Sequence, residues 1–539
     1  MHKEMNRNLV SGYLGAYGRN IINGNGNPIL LNGWGLGNWL LCEGYMWLNQ
    51  GKRFDRPLRI ENVVRELTGS EFSDYFWKEF RARYITREDI RLMAELGYNS
   101  VRIPFNWRIL LKDEPGLNWN DDGFALLDNC IDWCEEYGLY AFPDMHGAPG
   151  GQTGANIDDS VDDLPRLFMD QDSWDKAIAI WEKIAARYAN RWIVGGYDII
   201  NEPIRPPREG IADCDHLIPK LMEFYDAAAA AIRKHDKKHM LSIEGNCWST
   251  KTTIFNKHYD DNMVIHFHRY GCMPEINAYK EFLNVSERLN QPLWLGETGE
   301  SVLEWFTAMF PLSADLGIGY NLWPWKKMDT LNSPLSVNKP KHWEKIAVYT
   351  DGGIKPSHNE AQEILQEYLE NMLVQNCTHN TAVTRFCLRL PGCTVRGTDF
   401  DLFPGKGSSY SGLRTGTGKS QYRSDSGMGI QPGMEKAEQK LWFDCRWDSL
   451  TLEMSQDEFA VYSIFNTTGN STVSLELLVM EDSIVEISNG ENQYGMFNLN
   501  ASADIITTKA VMLPKEDKIP VKIAVCKGKI QLERIIFSE

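Results

Sequence analysis

Asp198-Ile199-Ile200-Asn201-Glu202-Pro203 is a short apolar run that stops abruptly at a carboxylate, and Leu293-Trp294-Leu295-Gly296-Glu297 repeats the pattern further along the chain. A carboxylate at the tip of a buried strand costs free energy unless it has a task. Working outward from these two, similar apolar runs lie near residues 29–34, 100–103, 140–144, 197–200, 240–244, 263–268, 292–297 and 317–323. Amphipathic helical stretches separate them. Trp174, Ala177, Ile178, Trp181, Ile184, Ala185 and Tyr188 mark one face at helical spacing, and Thr86 with Asp89 and a later Gly97 supplies a start and a stop for another helix. Strands alternating with helices imply a parallel sheet with crossover connections. Eight such units predict an α/β fold of the (β/α)₈ barrel type, with its active site at the C-terminal ends of the strands.

The chain has 539 residues, 43% of them hydrophobic, which is ample for a large core and too long for one ordinary domain. Residues 1–375 read as the barrel. Past a helical stretch at 358–373 the texture changes to short alternating segments with a Gly/Ser-rich loop at 404–418, so residues 380–539 read as an antiparallel β-sandwich, the boundary falling near 374–384. The formal net charge is −17 without any run of lysine or arginine, which argues against a nucleic-acid partner or an anionic membrane surface. A neutral substrate fits better, and 18 tryptophans offer flat faces on which sugar rings stack. The 11 cysteines show neither paired spacing nor a zinc pattern, and Cys130 and Cys134 read as packed thiols. The first residues lack an apolar core and cleavage site, and no run reaches membrane-spanning length, so the sequence as it stands reads as cytoplasmic, or as secreted if a leader preceded it. It carries no signal for an oligomeric state.

The polar residues at the run ends define a chemistry. Cleaving a glycosidic bond needs an acid for the leaving oxygen and, in the retaining mechanism, a carboxylate that attacks the anomeric carbon. Glu202 is the candidate acid/base and Glu297 the candidate nucleophile, facing each other across the barrel mouth. Asn201 is placed to bind a sugar 2-hydroxyl, Arg102 and Tyr270 to hold Glu297, and His146 and His268 to bind hydroxyls or tune Glu202. Trp323 is the candidate stacking platform. Asp144, two residues before His146, and Trp325, two after Trp323, complete the set. Glu244 and Glu300 also lie near strand ends and rank below Glu297. Gly33-Trp-Gly-Leu-Gly-Asn lacks the sixth-position glycine and the lysine of phosphate-binding loops. No metal or organic cofactor is called for.

The barrel, over roughly residues 10–350, resembles the family 5 glycoside hydrolases of the cellulase superfamily. The family's strand-two arginine corresponds to Arg102 in Val101-Arg-Ile-Pro, its strand-three histidine to His146, and its Asn-Glu-Pro signature to Asn201-Glu202-Pro203. Its His-x-Tyr falls on His268-Arg-Tyr270, its nucleophile on Glu297, and its strand-eight tryptophan on Trp323 in Trp323-Pro-Trp-Lys. Leu36-Gly-Asn-Trp-Leu, Glu43 and His146-Gly-Ala-Pro-Gly-Gly-Gln are similar to the exo-β-1,3-glucanase and β-glucosidase branch, although Gly299-Glu300 departs from the Trp-Ser usual in the yeast-type enzymes. An insertion at 147–168, carrying Asn156, Asp158, Asp159 and Asp162, would wall off one end of the cleft or stand as a solvated loop. The resemblance implies a retaining β-glycosidase acting on β-linked glucosides, gluco-oligosaccharides or glucans, with exo action favoured; an endo-β-glucanase with an open cleft and a non-catalytic carbohydrate-binding protein are the alternatives. The C-terminal region resembles carbohydrate-binding modules of the family 6 and 35 type through Asp399-Phe-Asp401, Tyr422-Arg-Ser-Asp425-Ser-Gly427 and Leu532-Glu-Arg-Ile-Ile-Phe537. Tyr410, Tyr422, Trp442 and Trp447 are its candidate sugar-stacking aromatics, and a sandwich that only buttresses the barrel is the competing expectation.

Overall fold

The helix Gln171–Tyr188 shows how the sequence builds the outer layer. Asp170 caps it by accepting the Ser173 N–H at 2.9 Å, and Ala177, Ile180, Trp181, Ile184, Ala185 and Tyr188 are buried along one face. Trp181 donates its indole N–H to Ile199 O (2.9 Å), which pins this helix to the chain just before Glu202. The helix Arg87–Glu95 begins with the Thr86/Asp89 capping box that the sequence predicts.

The computed structural model describes residues 9–49, 51–207, 213–414, 422–432, 447, 449–466 and 469–539. Among them, eight parallel strands close into a barrel: β1 (Gly33–Gly35), β2 (Ser100–Asn106), β3 (Tyr140–Gly147), β4 (Gly196–Asp198), β5 (Met240–Glu244), β6 (Met263–Arg269), β7 (Leu293–Gly299) and β8 (Gly319–Trp323). Each pairs with its neighbours in sequence, and β8 pairs with β1 through Asn321 opposite Gly33. All eight coincide with the apolar runs. The first starts later than its run, because the Asn99 side chain takes the backbone groups that residues 30 and 32 would offer to a ladder (Asn32 N–H to Oδ1 2.8 Å, Nδ2 to Leu30 O 2.8 Å). β4 is short for a different reason: after Asp198 the chain leaves the sheet, and Asn201 N–H donates to Met145 O (3.1 Å) on the way to the turn that carries Glu202.

The C-terminal region is an antiparallel sandwich. One sheet runs in the order Gly429–Pro432, Leu450–Ser455, Lys529–Ser538, Thr472–Val479, Ile505–Thr507; the other runs Tyr410–Ser411, Phe459–Asn466, Glu516–Lys527, Ser483–Ser488, Gln493–Leu499. In Thr472–Val479 the buried residues are Val473, Leu475, Leu477 and Val479, the period-two pattern of a strand with one face inward. Between barrel and sandwich, Thr378–His379 pairs with Leu335–Val337, and Thr381–Cys387 packs on the helix Leu303–Asp315. That helix buries Trp305, Phe306, Met309 and Phe310 on several faces, as a helix covered on both sides must. A contiguous apolar core runs from the barrel through it into the sandwich. Among the described residues no helix is long and apolar enough to cross a membrane.

Candidate active site

Arg102 on β2 is fully buried at the centre of the site. Its Nε donates to Asp198 Oδ2 (2.7 Å) and Nη1 to Glu297 Oε2; Nη2 donates to Asn201 Oδ1 (2.8 Å) and Glu244 Oε1 (3.0 Å) and lies 3.1 Å from Asp144 Oδ2. One guanidinium thus faces four carboxyl groups, an imbalance that has to be met by protonation. Burial, with Asp198 and Glu297 adding to it, pushes the Asp144 carboxyl well up despite Arg102. Burial likewise raises Glu244, to about 7. Asp198 is driven up by burial but His266 and Arg102 outweigh this and hold it below the usual carboxylate range.

Glu202 sits just past β4 with φ 44, in the left-handed region that non-glycine residues rarely occupy. Burial first, then the charges of Glu297, Glu244 and Glu43, raises its carboxyl well above the ordinary glutamate value. Its Oε1 lies 2.7 Å from His268 Nδ1. Glu297, on β7, receives the Tyr270 O–H on Oε1 (2.8 Å) and Arg102 on Oε2. Glu202 and Glu297 are 9% and 5% exposed, and atoms of Glu202, His268 and Glu297 lie within 4.8 Å of one another. The same spacing joins Glu244, His266 and His268. Either set has donors suited to a divalent cation, and His268 joins the two, bonded to Glu202 through Nδ1 and lying 3.0 Å from His266 Nε2.

His146 Nδ1 lies 2.8 Å from Asp144 Oδ2, and Asn201 Nδ2 donates to its Nε2 at 3.2 Å, which fixes the Nδ1–H tautomer. Burial and then Arg102 bring His146 down to about 4, so the ring is neutral. Trp323 stacks on it with ring centroids 5.0 Å apart and planes 6° from parallel, and donates its N–H to Tyr45 OH (2.9 Å). Gly35 and Gly37 make room for it, since a Cβ on either would stand 2.5 or 2.7 Å from the indole. With these neighbours Trp323 is 3% exposed, so only a small part of the ring remains to meet a sugar. Trp325 does not join the site. Its backbone N–H turns back to Gly35 O (2.9 Å), its indole donates to Asp89 (3.0 Å) and its ring packs on Trp34, placing it in the layer between barrel and helices.

The insertion after β3 is built into the mouth. Asp158 accepts the N–H groups of Thr153, Gly154 and Ser160, while Asp159 receives Leu58 N–H (2.8 Å), Asn106 (2.8 Å) and Arg108 (2.7 Å). Arg56 grips Ser160 and Asp163, and Trp248 donates to Thr153 Oγ1 (2.8 Å). The loop is therefore a wall tied to the segments after β1, β2 and β5. In the sandwich, Tyr422 and Trp447 are buried and converge on Asp399 Oδ1 (2.8 and 3.2 Å), and Asp401 is held by Arg389 and Ser463 N–H. These two aromatics present no face to a sugar; Tyr410 is half-buried against Phe400, and Trp442 lies outside the described residues.

Three groups at the centre rank low or carry no assigned role on sequence grounds. Glu244 ends its strand but ranks below Glu297 on sequence grounds. His266 lies two residues before His268, and strand alternation alone turns both into the barrel. Glu43 is buried beside the site, its carboxyl raised by burial and by the charges of Glu297 and Glu300.

The sequence matches the cellulase family, glycosyl hydrolase family 5, over residues 60–329. A beta-xylosidase of Phanerodontia chrysosporium is 32% identical over 45% of this chain and 48% of its own length. Endoglucanase C of Acetivibrio thermocellus is 31% identical over 38% of this chain and 56% of its own, and a glucan 1,3-beta-glucosidase of Candida oleophila is 29% identical over 38% and 48%. The chain spans about half the length of the curated relatives it matches.

Proposed function

The chain belongs to the cellulase family, glycosyl hydrolase family 5, and from that premise we propose that it is a retaining β-glycosidase that removes terminal sugars from β-linked glucosides or gluco-oligosaccharides. The observation that carries this reading is the pair Glu202 and Glu297, whose carboxyl oxygens approach within 4.8 Å at the C-terminal mouth of the barrel. A separation near ~5 Å suits attack by one carboxylate, whereas inversion needs room for a water at about 6.5–9.5 Å. The two groups also differ in the required sense. Glu202 is raised by burial and by neighbouring carboxylates, as an acid must be, while Glu297 is oriented by Arg102 and Tyr270.

In the first step a Glu297 oxygen bonds to the anomeric carbon as the glycosidic C–O bond breaks; its electron pair leaves on the aglycone oxygen, which takes the Glu202 proton. In the second, Glu202 removes a proton from water, the water oxygen bonds to the anomeric carbon, and Glu297 departs as carboxylate. Asn201, fixed between Arg102 and His146, is placed for the sugar 2-hydroxyl. Exo action is supported by the insertion wall and by the low exposure of both glutamates. The names of the relatives, which include a xylosidase, a glucosidase and an endoglucanase, leave the sugar and the cleavage pattern to experiment.

The test is product analysis with wild type and Glu297→Ala on β-1,3-, β-1,4- and β-1,6-linked gluco-oligosaccharides. Single sugars released only by wild type, with the β-anomer formed first, support a retaining exo-enzyme. Products of mixed length make it an endo-enzyme, and no difference between the two proteins removes the hydrolase reading.

A further inference from the structure

We propose that Glu244 is a positioning residue that ties the acid/base and the nucleophile into one frame. One of its oxygens fixes the backbone of Glu202 and the other fixes the guanidinium that holds Glu297. This rests on the roles proposed above for those two glutamates. Glu244 ends β5, is fully buried, and presents Oε2 to the Glu202 N–H at 2.7 Å and Oε1 to Arg102 Nη2 at 3.0 Å. The Glu202 backbone is left-handed, a conformation that persists in a non-glycine residue only where its surroundings hold it. The Glu244 carboxylate is the acceptor that holds its N–H.

A second piece of structure serves this carboxylate. Cys247, Trp248 and Ser249 are all left-handed, with φ 57, 55 and 56, and the turn they make brings the Ser249 hydroxyl back onto Glu244 Oε2. Tyr225 donates its O–H to the Glu244 backbone carbonyl (2.7 Å) and anchors the strand end. Both oxygens are engaged by protein and neither reaches solvent, so Glu244 acts through Glu202 and Arg102 and is not a third reacting carboxylate.

The charged and titratable groups around it come from every neighbouring strand: Arg102 from β2, Asp144 from β3, Asp198 from β4 with Glu202 beyond it, and His266 and His268 from β6, at 3.5 and 3.6 Å. The charges of Glu297 on β7 and of Glu43 also raise Glu202. Among these, the charge of Glu244 opposes ionisation of Glu202, so removing it must make Glu202 ionise at lower pH.

The experiment uses the full chain as wild type, Glu244→Gln and Ser249→Ala. Glutamine keeps the shape and an acceptor but not the charge. On an unactivated β-linked glucose disaccharide, Glu244→Gln should lower kcat by about 10- to 100-fold with KM within about threefold. The alkaline limb of kcat/KM should move about half a pH unit or more toward acid. Ser249→Ala weakens the ionised form of Glu244 without removing it, and should move the limb the same way by less. An unmoved limb with kcat within about twofold of wild type overturns the proposal. A substrate-free readout separates this from the function itself: in protein labelled with ¹³C at the glutamate carboxyl, the Glu202 signal, identified by its loss in Glu202→Gln, should titrate at lower pH in Glu244→Gln. An unchanged midpoint overturns the proposal even if no β-glucoside is ever hydrolysed.

Discussion

The barrel mouth and the sandwich both bury carboxylates, tyrosines and tryptophans, yet they use them in opposite ways. In the sandwich Asp401 has Arg389 on one oxygen and the Ser463 N–H on the other, and Asp399 gathers Tyr422 and Trp447 on one of its oxygens. In the barrel a single guanidinium faces Asp144, Asp198, Glu244 and Glu297, and the excess shows in carboxyls raised by burial, Asp144 well up and Glu244 to about 7. Matched polar groups specify packing, whereas unmatched ones store protons and charge where a substrate can meet them.

The sharpest way to break this comparison is Glu297→Ala. Turnover should fall by at least about 10⁴-fold, with the melting temperature of the wild type kept or exceeded, because removing an excess carboxylate relieves the imbalance. A large drop in melting temperature would mean that the mouth is built for stability after all. Glu202→Ala should lower kcat by about 10²–10⁴-fold on unactivated substrates and much less on aryl glycosides whose leaving group needs no proton; equal losses would make Glu202 structural.

Stability against pH sharpens the comparison further. A carboxyl raised by folding contributes stability that is fully present below its unfolded value and is lost as pH rises through its folded value. Glu244, raised to about 7, should therefore make the wild type lose stability relative to Glu244→Gln between about pH 4.5 and 7, by at most about 3 kcal/mol. Denaturant unfolding across that range checks the sign, and a wild type that gains stability over Glu244→Gln as pH rises contradicts it. The smallest effect is expected in the sandwich. Tyr422 shares its O–H between Asp399 and Pro274 O (3.1 Å), the latter in the loop after β6. Tyr422→Phe should cost about 1–2 kcal/mol in unfolding free energy and leave kcat within about threefold. A larger loss of activity would show that the sandwich reaches the site through that loop.

The strands were legible because each is an apolar run between helical patterns, and a parallel barrel buries such runs on both faces. Arg102, His146, Asn201, Glu202, His268, Tyr270, Glu297 and Trp323 stood out as polar or aromatic residues at run ends, where a barrel gathers side chains at its mouth. Trp325 carried the same signal, and only the turn of the chain back to Gly35 removes it from the mouth. Glu244 ranks below Glu297 in the sequence because its partners, the Glu202 N–H and Arg102, are far away in sequence and adjacent only in the closed barrel. The aromatics of the sandwich could not be sorted into buried and exposed, since a tryptophan or tyrosine in an alternating strand pattern faces inward or outward according to a register that the sequence does not state.

By itself, then, the sequence determined the order of strands and helices, the two-part architecture and the residue types available at the strand ends, because period and composition act locally. The tertiary structure decided which carboxylate carries a proton, how close Glu202 and Glu297 stand, and which buried groups hold them. Those properties arise from burial and from charges on different strands, and they exist only once the barrel has closed.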